Sequence, residues 1–394
     1  MRKLLAVLAF LGFSAQAGDL KIALIESKTG ALESYAKQTE TGFMMGLDYY
    51  TKGSMSVEGR KLAIKVLDDQ MKPDLGKSLL EQAYGDDDVD FAVGYTYSAS
   101  ALAALDVAKD YKKLLIVEPA VADEITGAHW NRYVFRTGRS SMQDVLAAAL
   151  ALPDEPASIA VLTQDYAFGR DGVAAMKQAL ELIHSKAKIV FEEYAPVRTT
   201  DFTASGERVM NALKSAPGHK WLVILWAGPS PFAKIMDLHP ERFGIDVAPG
   251  GNILPVLQSY KAYPGTMGAI DYYWGFPKNP ANDWLVAEHR KRFGGAPPDF
   301  FTCGGFALAG AVVTAVTKTH GKTDSETLIQ AMEGMSFPTP KGEMQFRKED
   351  HQAMQDMYVW RVKAKPDAND PYDILELART VGAAEIKLPI AVGH

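Results

Sequence analysis

Cysteine occurs once in the 394 residues, at Cys303, so no intrachain disulfide can form and stability must come from packed apolar cores. Cys303 sits at the start of an Ala/Gly-rich stretch with no His-plus-acid setting around it, and it reads as a small buried hydrophobe. Basic side chains are not in excess either. Lys and Arg number 42 against 48 Asp and Glu, a formal net charge of −6, without the basic stripe that a phosphate backbone demands. Nucleic acid is excluded as a partner. Catalytic signatures are also missing: there is no GxSxG elbow, no GxGxxG fingerprint and no HExxH, and the eight His are scattered. Gly321-Lys322-Thr323 imitates the end of a phosphate loop, but Val316 stands where its first glycine belongs. Asp86-Asp87-Asp88 lacks the alternating ligands and the glycine of a calcium loop and reads as a solvated turn. Neither an enzyme centre, nor a metal site, nor a cofactor is indicated.

Long apolar runs are confined to the N-terminus. Arg2 and Lys3 precede the uncharged run Leu4–Phe13, and Ala15-Gln16-Ala17 has the small-x-small form of a signal-peptidase site. Residues 1–17 are therefore expected to be a cleavable signal peptide. Its loss leaves 40 basic against 48 acidic side chains, and no later run reaches the ~18 uninterrupted apolar residues of a membrane span. Gly18 follows the cut, so a lipid-anchoring Cys is not expected there. Export to the periplasm as a soluble monomer is the expectation.

What remains is an ordinary globular composition, 47% hydrophobic and 23% charged, with a strong alternation of short β-branched runs and helical stretches. Leu20–Ile25, Lys61–Asp68, Phe91–Gly94 and Leu114–Val117 read as strands. Tyr35–Tyr50, Pro73–Tyr84 and Ser98–Tyr111 read as the helices between them. The rhythm restarts after Arg136, with helices at Ser141–Leu152, Asp171–Ile183, Asp201–Ser215 and Pro231–Leu238, and strands at Ser158–Leu162, Lys188–Tyr194 and Trp221–Trp226. Two βα series of similar size predict an α/β fold of two doubly wound, Rossmann-like lobes with parallel sheets. Helices at Asp283–Phe293 and Phe301–Thr319 are expected to return and cover the first sheet. Open sheets of this kind bind ligands at the carboxyl ends of their strands. There the chain offers Tyr95-Thr96-Tyr97-Ser98-Ala99-Ser100, with Ser98 typed for an N-cap, and the loop Glu118–Asp123.

Several segments together resemble the type I periplasmic solute-binding proteins of the Leu/Ile/Val class, which serve ABC importers. They are the signal peptide, Gly30 and Tyr35, Gly94 with Ser98-Ala99-Ser100, Pro119-Ala120, Phe135-Arg136-Thr137, Tyr166–Gly169 and Phe346–Gln352. The resemblance spans roughly Asp19 to Leu377 and implies two lobes joined by three crossovers that close on a ligand. These crossovers are expected near Arg136–Arg139, Ile270–Trp274 and Glu343–Phe346. The lobes are then 18–138 plus 271–344, and 139–270 plus 345–394. By this resemblance Ser98 binds a ligand carboxylate, with Tyr97 and Ala99 beside it. Ala120 supplies a carbonyl, with Val121 beside it, and Ala122 an N–H in place of a hydroxyl. Tyr35 and Phe168 supply rings, and Trp226, Ala227 and Gly228 line the second lobe's strand end.

One departure bears on specificity. Amino acid binders of this class hold the ammonium with an acid in the stretch that is here Asn252–Val256, which has none. Burying an ammonium without a counter-charge costs several kcal/mol. Either Glu118 or Asp123 substitutes, or the ligand lacks an ammonium. The rings of Tyr35, Tyr97, Tyr166, Phe168 and Trp226 favour an apolar or aromatic carboxylate. The expected partners are that small carboxylate and a membrane ABC permease. A branched-chain amino acid and a periplasmic sensing role remain the alternatives.

Overall fold

The computed structural model describes residues 18–152, 155–228 and 230–391. The signal peptide expected at 1–17 lies outside the described residues. In the first lobe, Leu20–Glu26 lies between Arg60–Asp68 and Phe91–Gly94, parallel to both. Leu115–Val117 and Val134–Arg136 extend the sheet outward, also parallel. Ser56–Val57 adds a short antiparallel edge. Phe91–Gly94 and Leu115–Val117 are legible as continuous apolar runs because both of their faces are buried, whereas Arg60–Asp68 is charged at intervals and mostly half-buried. Strand order reverses at Leu20–Glu26, so the loops after Glu26, Gly94 and Val117 gather at one carboxyl edge.

The second lobe has two separate sheets. Ile245–Ala248, His219–Leu225, Ala157–Gln164 and Ala187–Ala195 form a parallel one in that spatial order. Met267–Ile270, Met357–Val362 and Leu375–Val381 form an antiparallel one. A small antiparallel sheet of Ser336–Thr339, Gly342–Phe346 and Ala353–Met354 packs with the first lobe's core. The third crossing consequently falls at Gln355–Asp356, after this sheet and before Met357 joins the second lobe. The expected position near Glu343–Phe346 is corrected, because Gly342–Phe346 is still paired within the first lobe.

Helix ends differ modestly from expectation. Ala167–Leu182 starts a turn earlier than Asp171, and the expected Pro231–Leu238 shrinks to Phe232–Met236. Among the described residues, Phe300–Lys318 is the one helix long and apolar enough to cross a membrane. It is a core helix, with only Thr314, Thr317 and Lys318 outside its buried set. Its partner is Glu33–Tyr50. The two approach so closely that a Cβ on Gly42 would lie 1.8 Å from the Thr302 carbonyl oxygen, and one on Gly305 2.0 Å from that of Thr39. Only glycine permits this crossing, and the crossing brings the starts of both helices to the same end of the cleft.

The crossings are tied together by buried charge. The Lys341 ammonium donates to Asp271 Oδ2 at 3.1 Å and to Gln355 Oε1, joining the second and third crossings. Thr137 Oγ1, on the first crossing, donates to Glu118 Oε2 at 2.9 Å.

Candidate functional site

The helix crossing stacks Tyr35 on Phe301, with ring centroids 4.1 Å apart. The Tyr35 hydroxyl accepts the Gly228 N–H at 2.7 Å, a direct bond between lobes. Burial pushes the Tyr35 phenol up, and the Gly228 N–H works against that shift. Gln164 fixes the facing strand end by accepting the Ala227 N–H at 3.0 Å and donating to the Ala227 carbonyl at 3.1 Å.

Around this bond the cleft divides into two chambers. The smaller, about 50 Å³, lies between the lobes. Tyr97, Ser98, Ala120 and Val121 form one side, and Tyr166 and Phe168 the other. The larger, about 150 Å³, runs into the second lobe between Val223–Ala227, Ala248–Asn252 and Gly268–Ile270. Tyr35, Arg139, Phe168, Ala227 and Phe301 line both. Tyr97 and Tyr166 face each other across the lobes at 6.4 Å, and Phe168 stacks on Tyr166 at 5.7 Å. Trp226 lines the larger chamber, with Phe202 held edge-on at 5.1 Å behind it. A flat apolar body fits between such walls.

Of the residues singled out from sequence, Tyr35, Tyr97, Ser98, Ala120, Val121, Phe168, Trp226 and Ala227 line the cleft. Ala99, Glu118, Ala122 and Gly228 do not. Ser98 is not an N-cap. Tyr97 holds that position, without a side-chain bond, and Ser98 is the first helical residue. Its Oγ instead accepts the Ala122 N–H at 3.3 Å, which occupies the N–H expected to meet a ligand. The correction follows from the extended backbone of Tyr97, which shifts the helix start by one residue. The N–H groups of this first turn have no intrahelical partners and sit beside the smaller chamber.

Glu118 points back toward the crossings. Its carboxylate lies so close to the long core helix that a Cβ on Gly304 would be 2.3 Å from Oε1. Burial raises its pKa, with Lys341 and Thr137 opposing the shift. Asp123 is also committed, since Oδ1 accepts the Met142 N–H at 3.0 Å. Arg136 is fully buried and donates to Ala122 O, Thr126 Oγ1 and Gln352 Oε1 at 2.6, 2.7 and 2.6 Å, which fixes the loop carrying Ala120.

Arg139 was not singled out, and it is the only cation among the described residues lining either chamber. It sits on the first crossing, 7% exposed, with its guanidinium 4.7 Å from the Phe300 ring centroid and 5.9 Å from that of Phe301. Nε donates to both Asp144 oxygens at 3.1 Å, and the two Nη groups make no hydrogen bond to the described residues. A buried guanidinium with four unused N–H donors at a cleft is suited to an acceptor-rich anion. The available signal was position: Arg139 closely follows the strand Val134–Arg136 at the ligand-binding edge. Asp144 is one-third exposed, toward the larger chamber, and burial pushes its pKa up to about 6 against the pull of Arg139.

The acid-free stretch Asn252–Val256 is met by an acid from elsewhere. Asp299 Oδ1 accepts the Leu254 and Phe300 N–H groups, each at 2.8 Å, and Oδ2 accepts Gln38 Nε2 at 2.9 Å. Burial lifts the Asp299 carboxyl to about 6. With three bonds it holds a helix start and a loop together and leaves little for a ligand ammonium.

Residues 19–368 match the model of the family described as periplasmic binding protein. The chain is 25% identical over 349 residues to the leucine-, isoleucine-, valine-, threonine- and alanine-binding protein of Pseudomonas aeruginosa, covering 87% of this chain and 89% of that one. Its fold is similar to that of an ABC-type branched-chain amino acid transporter from Rhodopseudomonas palustris, with a TM-score of 0.84 and 56% identity over 95% of this chain and 100% of that one. It is also similar to an ABC transporter solute-binding protein of Rhodopseudomonas palustris in complex with 3,4-dihydroxybenzoic acid. There the TM-score is 0.77 at 27% identity, over 93% and 98% of the two chains.

Proposed function

The chain belongs to the periplasmic binding protein family as the solute-binding component of an ABC importer, and from that premise we propose that it captures a small aromatic or apolar carboxylate in the periplasm for a membrane permease. The carrying observation is Arg139. Its unused Nη donors sit where the two chambers meet, among ring faces, and a carboxylate supplies the acceptors they lack. The free N–H groups at the helix start of Ser98 add a second anchor in the smaller chamber. Tyr97, Tyr166 and Phe168 supply walls for a ring, and the relative bound to 3,4-dihydroxybenzoic acid supports this ligand class.

A branched-chain amino acid is the second reading. The names of the Pseudomonas and Rhodopseudomonas relatives favour it, and so does Asp144, the one carboxylate among the described lining residues. Arg139 already neutralises Asp144, so an ammonium there would compete with an existing ion pair. A thermal-shift screen separates the readings, because a ligand at 100 times its Kd adds about 2.7 kcal/mol of stability. Stabilisation by hydroxybenzoates or hydroxycinnamates and not by leucine, isoleucine or valine is the expected result. The opposite pattern rejects the aromatic reading.

A further inference from the structure

We propose that the larger chamber takes the distal part of the ligand, so that this protein selects carboxylic acids longer than a single ring; the inference rests on the carboxylate reading above. The chamber arises from the way the second lobe is built. Its parallel sheet ends at the edge strand Ile245–Ala248, and Met267–Ile270 belongs to a different sheet, so no hydrogen-bonded ladder closes the gap between them. Small side chains leave that gap unfilled. Ala248 and Ala269 are both partly exposed, and both line the chamber, as does Ala227.

Size and contents point the same way. The smaller chamber offers about 50 Å³ between Ser98 and the facing rings, and the larger offers about 150 Å³ in the second lobe. A ring seated in the smaller chamber leaves the larger space open to the rest of a longer acid. The connection runs past Arg139 and Phe301, which line both chambers. The larger chamber also holds the half-buried Asn252, whose side-chain amide has no hydrogen-bond partner among the described residues. A hydroxyl or carbonyl on the distal end of the ligand would satisfy that amide. The carboxylate then sits at the Ser98 helix start and Arg139, the body crosses the junction, and the polar distal group reaches into the second lobe.

The test is calorimetry with 4-hydroxybenzoate and the longer 4-hydroxycinnamate on the wild type and on Ala269→Leu and Ala248→Leu. Each substitution places a larger apolar side chain in the larger chamber and leaves the smaller one untouched. The wild type should bind 4-hydroxycinnamate at least tenfold more tightly. In either folded variant that preference should shrink to threefold or less, with 4-hydroxybenzoate affinity unchanged. Equal or tighter wild-type binding of 4-hydroxybenzoate overturns the inference and leaves the carboxylate reading standing. A full preference retained by both folded variants also overturns it. Binding of leucine with neither acid bound overturns the carboxylate reading and this inference with it.

Discussion

Replacing Arg139 by Gln removes the one cation that the described cleft lining contains, and its consequences separate into two measurable parts. The first is structural. Asp144 loses its ion-pair partner, and breaking a fully buried pair costs about 3–5 kcal/mol. One-third of Asp144 is open to the cleft, so about 2 kcal/mol is the expected loss of stability. Adding Asp144→Asn removes the stranded charge and should recover most of it. The second part is functional. Hydrogen bonds to charged groups are worth about 1.5–3 kcal/mol, so losing the Nη donors should weaken a carboxylate ligand by ~10- to 100-fold. That loss should persist in the double variant, because neutral amides at both positions cannot replace a guanidinium. Denaturant melts measure the first effect and calorimetry with 4-hydroxybenzoate or 4-hydroxycinnamate the second. A double variant that folds and binds the acid like the wild type would refute the assignment of Arg139 to the ligand.

Three further outcomes follow from the same geometry. Ser98→Ala removes the acceptor for the Ala122 N–H as well as a hydroxyl at the carboxylate site, and should raise the Kd about tenfold; an unchanged Kd by calorimetry assigns Ser98 to loop packing alone. Asp299 titrates near 6 in the fold against an ordinary 3.8, so the folded state favours its protonated form. Its ionisation therefore costs about 3 kcal/mol, a cost absent below pH ~4 and complete above pH ~6. Wild type should lose stability relative to Asp299→Asn as pH rises from 4 to 7, and parallel melting curves would contradict this. Finally, the lobes should move about the three crossings when a ligand binds, so small-angle scattering should show compaction with saturating ligand, and an unchanged radius of gyration would count against closure.

The central parallel strands were readable because burial on both faces writes them as apolar runs, unbroken in Phe91–Gly94 and interrupted in Leu20–Ile25 only by the exposed Lys21. Leu375–Val381 was not, since only its end residues are buried and no alternation marks it. The cleft loops were readable from their place after strands. Individual roles were harder, because they depend on direction and on the other lobe. Glu118 adjoins the Ala120 loop in the chain, yet its side chain turns to Thr137 and the core helix. Phe301 reaches the cleft only through the glycine-mediated helix crossing, which no local pattern announces. Arg139 was marked only as the end of the expected first crossover, and its place among Phe300, Phe301 and both chambers depends on the fold.

The claim that the cleft holds a carboxylate without an ammonium is tested most directly by the ligand itself. Purified protein from the native periplasm should be denatured and the released small molecules identified by mass spectrometry. An aromatic or apolar carboxylic acid, present at near one equivalent and lacking an amino group, is the predicted result. Leucine, isoleucine, valine or another α-amino acid at that stoichiometry would contradict it.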